Sequence, residues 1–443
     1  MLYSNKSLRK LIIPLIFEQL LSILVGMVDT VMIAGVGEAA VSGVSLVDNI
    51  NILVINVSAA LATGGAVVAG HYLGQKDKKN ASRAAWQLLL FSVMISLVVM
   101  VLLLSFHTPL LQVIFGQVEL EVMTSASTYL IWTALSICPL AIYNSCAAIF
   151  RAMNDSKTTM KIAIIMNLVN VVGNAILIYG AGIGVAGAAI ATTISRIVAA
   201  VMIMILMFRK DRDISFIGQV SLKINWGLIK RILYIGVPNG LENSLFQLGK
   251  ILLLSLIATF GTYSIAANAV CNTLASLNVL PGGAVNMALL SVASVCVGAG
   301  DFEQTRYYTK KLMRLATISV AAISVFMIIF APFIMKIYQL SPQTEELAVQ
   351  VIRYHALLAF FLWIPSFTLP NTLRAAGDVV WTMFIAIGSM WIFRIAFAYL
   401  FSYTFHWGLL GVWVAMTIDW GFRALTYWIR YRGHKWEHAL KKN

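Results

Sequence analysis

Several acidic side chains lie inside long apolar runs of this sequence, where hydrophobic packing gives no reason for a charge. Glu18 and Asp29 lie eleven residues apart in one such run. On a helix this spacing is about three turns, roughly 16 Å, and it places both carboxylates on one face. Burying an ionised group in a bilayer costs at least about 2.5 to 3.5 kcal/mol, so each such group is a candidate for function.

The deeper of the two, Asp29, has no basic neighbour on its own helix. It could carry a proton or, together with other oxygen ligands, bind a hard cation such as Na⁺. The alternative is a carboxylate that is only hydrogen-bonded at a helix interface. Glu18 follows Pro14 by four residues, so it could bond to backbone groups that the proline leaves free, or reach water. We therefore expect the ion site at Asp29 and keep both a transport and a structural interpretation for Glu18.

Glu242 repeats this arrangement in a later helix, four residues after Pro238. Gln247 and Lys250 follow it with helical spacing on one face. We predict that this polar stripe lines water and contacts substrate. A structural ion pair between helices is the alternative for both charged side chains.

Arg394, Asp419 and Arg423 bring further charge into the last two apolar runs. Asp419 and Arg423 are one helical turn apart, a spacing that favours a structural salt-bridge network. Arg394 also remains a candidate for the substrate cleft. Residues 434–438 match the pattern H-x-x-E-H, but we expect no fold around this basic tail and do not interpret it as a zinc site.

Amide and hydroxyl side chains accompany the charges. The second apolar run carries Asp48 and Asn51 among several other amides, more than a surface facing lipid tolerates. One face of this helix is therefore expected to look into the bundle or a cleft, unless the amides only join helices. The fifth run carries Asn167, Asn170 and Asn174, and the sixth carries Thr192 and Thr193. Oxygens of these side chains could complete a cation site with Asp29.

The elements that must position these residues are membrane helices. Of the 443 residues, 60% are hydrophobic and only 11% are charged, a balance that excludes a soluble domain. Apolar runs of about 20 residues recur along the chain, and each is long enough to cross a bilayer. We predict an all-α integral membrane protein with twelve transmembrane helices.

In a membrane protein, the distribution of the basic residues behind the net charge of +14 indicates which loops face the cytoplasm. Most of the basic residues fall in the tails and in the loops between even and odd helices, and the opposite loops hold several acids. We expect the protein in the inner (plasma) membrane of the cell. The positive-inside rule then places both termini in the cytoplasm. A nucleic-acid partner is accordingly not expected.

An internal repeat organises the chain. Shifting the sequence by 224 residues superposes it on itself for more than sixty positions without gaps. We predict an N-terminal six-helix lobe in residues 1–208, a cytoplasmic linker in residues 209–231 and a C-terminal six-helix lobe in residues 232–443. Because six is even, the lobes are parallel repeats, an architecture in which a central cleft opens to each side in turn. The matching pairs include Pro14 and Pro238, Glu18 and Glu242, Gly37 and Gly261, Gly74 and Gly298, and Asp77 and Asp301.

Solute transport fits tandem six-helix halves with intramembrane charges better than a channel or an enzyme. The sequence contains no Gly-rich P-loop, so an ion gradient is the expected energy source. No histidine pair or Gly-flanked serine motif supplies a catalytic constellation. We expect no enzymatic activity and no cofactor.

The chain resembles bacterial transporters of the MATE (multidrug and toxic compound extrusion) family. The resemblance covers about Leu11 to Arg430 and rests on motifs that occur in order along the duplicated helices. These are Pro14 with the run Asp29-Thr-Val-Met-Ile-Ala-Gly35, the loop Gly74-Gln-Lys-Asp77, Arg151-Ala-Met-Asn-Asp155, and the run from Gly184 to Thr193.

The resemblance implies two six-helix lobes in a V that export organic cations or amphiphilic drugs in exchange for H⁺ or Na⁺. The family's acid in the first helix matches Asp29, and its partners match Asn170, Asn174 and Thr192. Asn174 departs from the pattern because Asp is common there, which favours H⁺ slightly over Na⁺. The resemblance also implies small-molecule substrates and a chain that functions as a monomer.

Two departures concern the C-terminal lobe. One branch of the family couples through acids in the seventh and tenth helices, but Glu242 lies one turn early and the tenth helix has no acid. A lipid-linked oligosaccharide flippase of the same superfamily is the alternative function. Lys250, Arg394 and Arg423 leave it open, because such flippases have a strongly cationic cleft.

Overall fold

The structure, a computed structural model, describes residues 2–116 and 119–442, with side chains to residue 439. All regular secondary structure in these residues is helical. Ten helical segments are by themselves long and apolar enough to cross a membrane. A pair of helices bent by 47° forms an eleventh span.

Six spans lie in the N-terminal half. Helices α4 and α5 meet at Ser136 and form the bent span, and α6 continues as a π-helical turn over Ala175–Gly180. The helices are α1 (Asn5–Ala34), α2 (Glu38–Gly74), α3 (Lys78–Phe115), α4 (Leu120–Leu135), α5 (Ile137–Ala152), α6 (Ser156–Asn174) and α7 (Gly184–Met207).

The C-terminal half repeats this order. Its elements are α8 (Trp226–Ala258), α9 (Thr262–Gly298), α10 (Phe302–Ile337), α11 (Pro342–Leu358), α12 (Ile364–Phe367), α13 (Leu369–Ala375), α14 (Val379–Ser389), α15 (Phe397–Tyr399) and α16 (Gly408–Arg432). Helices α11 to α13 make one span, and α14 and α15 make another, both with π-helical turns. Helix α16 has 25 residues and is the twelfth span, less apolar than the others because it contains Asp419 and Arg423.

The predicted duplication is visible in where corresponding helices begin and end. Helix α2 spans Glu38–Gly74 and α9 spans Thr262–Gly298, so both ends are offset by 224 residues. Asp77 and Asp301 each cap the next helix by accepting a hydrogen bond from the backbone N–H three residues on. The same local interactions therefore begin corresponding helices in both halves.

The division between compact units differs from the predicted lobe boundaries. One unit comprises residues 3–240 and the other begins at Leu241, inside α8. The predicted linker is part of the first unit. Trp86 donates its indole N–H to the carbonyl of Ser221 at 2.8 Å, and the Gln87 amide donates to the carbonyl of Lys223 at 2.9 Å. These bonds hold the linker against α3 and explain why charge alone did not mark the boundary.

The first turns of α8 pack closely on α2 through glycines. A Cβ at Gly64 would lie 2.3 Å from the carbonyl oxygen of Ile232, and one at Gly236 would lie 2.8 Å from that of Ala60. Small residues permit such backbone approach between membrane helices. This crossing assigns the start of α8 to the N-terminal unit.

Replacing Gly64 by Ala should therefore destabilise the protein by about 1 to 3 kcal/mol, because the backbones must move apart. The thermal midpoint of the purified protein should fall. Gly283→Ala in α9 is the matched control, since a Cβ there meets nothing within 4 Å. Equal midpoints for the two variants would contradict the close crossing.

The basic tail is folded, contrary to the expectation from sequence. Trp436 is fully buried and packs its ring on Phe302 and Tyr431. Glu437, within the H-x-x-E-H pattern, forms an ion pair with Arg306 and a hydrogen bond with His434. The buried indole and the ion pair of Glu437 both hold this short segment on the bundle.

Candidate functional site

Two of the neutral residues that the resemblance implied contact Asp29 directly, and the third is linked to it through Asn170. Asn174 donates its amide N–H to the Asp29 carboxylate at 2.7 Å. In the amide orientation that satisfies both neighbours, Asn170 donates to the two Asp29 oxygens at 2.9 and 3.2 Å and accepts from the Thr192 hydroxyl at 3.1 Å. Asn170 and Asn174 are buried, and Asp29 is half-buried. The structure thus brings the four residues together, while their role in ion coupling stays a prediction.

The close packing of α6 on α7 positions the two asparagines and the threonine. A Cβ at Gly173 would lie 2.9 Å from the side chain of Ala191, and one at Gly187 would lie 3.0 Å from Leu177. The π-helical turn Ala175–Gly180 begins directly after the last of the site residues on α6. Extra residues in a helical turn re-aim the neighbouring side chains, a feature common at functional sites.

Arg196 belongs to the same region and was missed by the sequence reasoning. It lies on α7 one turn after Thr192 and donates to the Ser136 hydroxyl at 2.6 Å. It interacts electrostatically with both Asp29 and Asp48. An arginine inside the apolar run of α7 is itself a signal of the kind used for Asp29, so the sequence could have revealed it.

Asp48 and Asn51 lie on α2, near this site but outside its hydrogen-bonded centre. Asp48 is exposed and repels Asp29 electrostatically, while Asn51 is half-buried. In the described part of the chain no hydrogen bond joins either of them to Asp29. Two carboxylates and one guanidinium leave this region with a surplus of negative charge, which favours a cation.

Glu18 and Glu242 each form an ion pair with an arginine of their own unit. Glu18 lies 3.7 Å from Arg151 and accepts a hydrogen bond from Thr159 at 3.0 Å. Glu242 accepts two hydrogen bonds from Arg374, both at 2.7 Å. Both glutamates are mostly buried, and the two pairs occupy corresponding places in the repeat. This geometry favours the structural interpretation of both acids over a place in the substrate cleft.

Removing the charge of Glu242 should destabilise the protein more than removing the charge of Glu18. Glu242→Gln loses a bidentate, charge-assisted contact, and we expect about 2 to 3 kcal/mol of destabilisation. Glu18→Gln loses a single longer contact and should cost about 1 kcal/mol. Thermal melting of the two purified variants in the same detergent measures the difference, and the reverse order would contradict it.

Asp419, Arg423 and Arg394 form one cluster in the C-terminal unit. Asp419 pairs with Arg423 at 2.8 Å, as their spacing predicted, and lies 3.8 Å from Arg394. Lys250 and Arg394 both line a cavity of about 260 Å³. Gln247 is half-buried on the same helix as Lys250 but does not line that cavity.

Twelve membrane-spanning helices in two repeats among the described residues, with charged clusters inside each half, are typical of a membrane transporter. The sequence profile of the MatE family matches residues 14–176 and 238–400, once in each half. The chain therefore belongs to the MatE family of membrane transporters.

Relatives and solved structures agree with this assignment over nearly the whole chain. A probable multidrug resistance protein, NorM, from Thermotoga maritima is 27% identical over 440 residues, covering 98% of this chain and 93% of the relative. The uncharacterized transporter YisQ from Bacillus subtilis is 26% identical and covers 97% of this chain and 94% of its own. A crystal structure of a MATE protein in complex with MaL6 has the same fold, with a TM-score of 0.91, 22% identity and coverage of 99% of this chain and 97% of that one.

Proposed function

We propose that this protein is a secondary active efflux transporter that exports organic cations or amphiphilic drugs in exchange for H⁺ or Na⁺. The names of relatives such as NorM support the multidrug part of the proposal. Family membership supports transport itself. Asp29 is proposed as the coupling group, with Asn170, Asn174 and Thr192 as its neutral partners.

A single observation carries this role for Asp29. Its hydrogen bonds within the described residues come from neutral amides, Asn174 and Asn170, and none comes from a cationic side chain. The acids Glu18, Glu242 and Asp419 are all held by arginines at 3.7 Å or less. A membrane carboxylate that no cationic side chain contacts directly is suited to bind and release a mobile ion.

The residue at position 174 slightly favours a proton as that ion. Position 174 holds Asn where Asp is common in the family, so the residues around the ion offer one carboxylate, Asp29, and not two. A missing carboxylate weakens a Na⁺ site more than a proton site. Proton uptake needs no such ligand set, because the neutral acid can keep one oxygen as an acceptor for an amide.

The mechanism follows from competition for one charge. With the site open to the outside, Asp29 takes up the ion. The contacts between helix α1 and helix α6 then rearrange near Pro14, and the bound drug leaves. A cationic drug and the coupling ion disfavour joint occupancy, which links export of one to import of the other. The positive-inside rule supports cytoplasmic termini in the plasma membrane, and we propose that one chain is sufficient for transport.

Dye efflux from proteoliposomes tests the proposal. Ethidium should be extruded when a pH gradient, acidic on the side that receives the dye, is imposed. A Na⁺ gradient at constant pH should drive little or no extrusion. Extrusion by Na⁺ alone would reassign the ion, and extrusion under neither gradient would contradict antiport.

A lipid-linked oligosaccharide flippase remains the second candidate, because Lys250 and Arg394 line a cationic cavity. Such a protein would transfer a labelled polyprenyl-phosphate sugar between leaflets and would leave ethidium where it was. Measuring both substrates in the same proteoliposomes separates the two functions.

A further inference from the structure

The C-terminal unit contains a partly open cavity of about 260 Å³ that the proposed ion coupling does not use. Its polar wall and its apolar wall are distinct. The polar wall consists of Lys250, Asn268, Asn272, Ser276 and Arg394, and the apolar wall consists of Leu253, Leu254, Ile257, Val412, Trp413 and Met416.

Three cations gather around one aromatic ring beside this cavity. The charged ends of Lys250, Arg394 and Arg423 lie 5.2, 5.0 and 5.6 Å from the centre of the Phe246 ring. Within the described residues, the ion pairs of this cluster involve one acid, Asp419, which is fully buried behind the arginines. Three cations and one carboxylate leave a surplus of two positive charges at membrane depth.

The surplus is concentrated on the two residues that line the cavity. Asp419 lies 2.8 Å from Arg423 but 3.8 Å from Arg394, so its charge is shared unequally. Arg394 is 7% exposed, and its buried Nε has no hydrogen-bond partner in the described structure. Lys250 forms no ion pair with any described acid and is repelled by Arg394. Buried cations without full compensation attract an anion strongly.

One neutral side chain of the polar wall, Asn268, is oriented as a hydrogen-bond donor to the cavity. The oxygen of the Asn268 amide accepts a hydrogen bond from the Trp413 indole at 3.1 Å. This bond turns the N–H groups of Asn268 away from Trp413 and leaves them available to an acceptor in the cavity. An oxyanion accepts hydrogen bonds and donates none, so it matches both the charges and the amide.

We propose that this cavity binds the oxyanion group, carboxylate or phosphate, of an amphiphilic organic anion. Lys250 and Arg394 are its ion partners, Asn268 donates a hydrogen bond, and the apolar wall holds the attached hydrocarbon or aromatic body. The site does not depend on ion coupling at Asp29. It makes the two units opposite in polarity, one suited to a cation and the other to an anion.

Binding of dansylglycine, a carboxylate on an aromatic body, tests the site by fluorescence with the full-length protein in an uncharged detergent. Lys250→Gln should weaken binding about tenfold or more, because a charge-assisted contact is lost. Lys310→Gln removes the same charge from an exposed position on α10 and should leave the affinity unchanged. Lys250→Arg should retain most of the binding. Arg394→Gln should weaken it further, provided that the variant keeps its thermal midpoint.

Competitors identify the source of the anion. Displacement by inorganic phosphate would indicate a soluble ligand, and displacement by dioleoylphosphatidylglycerol alone would indicate a lipid headgroup. Both outcomes support the proposal. Equal displacement by dioleoylphosphatidylcholine, equal binding of the uncharged dansylamide, or wild-type affinity in Lys250→Gln would overturn it. Asp29→Asn should bind dansylglycine normally, so failure of the anion site and failure of the coupling site remain distinguishable.

Discussion

Cells that express Asp29→Asn should lose dye efflux and drug resistance completely, down to the level of cells without the transporter. Asn is close to Asp in shape and can still bond to Asn170 and Asn174, so the helices should remain packed. An amide carries no charge that a proton or Na⁺ could neutralise. The expected defect is therefore in coupling, and the amount of protein in the membrane should not change.

Asp211→Asn is the matched control for that experiment, because it makes the same exchange at an exposed position outside the spans. Its efflux should equal that of the wild type. Ethidium efflux per unit of transporter, quantified by immunoblot of membranes, gives the comparison. Normal efflux by Asp29→Asn at equal abundance would refute the coupling role.

Asp419→Asn should be the most destabilising of the conservative substitutions considered for this chain, costing about 3 to 5 kcal/mol. The carboxylate is fully buried and faces Arg423 and Arg394, which are 2% and 7% exposed. Without it the C-terminal cluster keeps three cations and loses its counter-charge. Neither arginine can reach water to compensate, so the thermal midpoint in detergent should fall sharply.

An exposed ion pair of similar length provides the contrast. Lys78 and Asp213 lie 2.6 Å apart, but their side chains are 67% and 55% exposed. Asp213→Asn should therefore cost at most about 1 kcal/mol, because water screens the pair. If both variants melted at the same temperature, burial would not be what makes the Asp419 cluster important.

The two units share the same order of helices but differ in where they carry charged residues. At the offset of 224 residues, Leu253 stands where the first unit has Asp29, and Lys250 stands where it has Gly26. The ion pairs Glu18 to Arg151 and Glu242 to Arg374 are kept in both units. Duplication thus preserved the pairs that hold helices together and changed the residues that are free to meet a ligand.

The sequence offered amide and hydroxyl partners for Asp29, and only the family resemblance narrowed them to Asn170, Asn174 and Thr192. Spacing along one helix places Glu18 and Asp29 on one face, but it does not say which other helix meets that face. Asn174 lies 145 positions away from Asp29 in the chain, and the packing of α6 on α1 and α7 brings them together. Arg196 also lies in an apolar run, so its charge carried the same signal as that of Asp29.

The sequence by itself determined the membrane class, the twelve spans, the duplication and the identity of Asp29 as an acid without a local counter-ion. These follow from composition, helical periodicity and self-similarity, which are local or additive properties of the chain. Only the tertiary structure decided that Arg151 and Arg374 neutralise Glu18 and Glu242, and that the tail docks through Trp436. It also decided that Lys250 and Arg394 share a cavity. Such pairings depend on which distant helices become neighbours, and helix spacing alone carries no information about that.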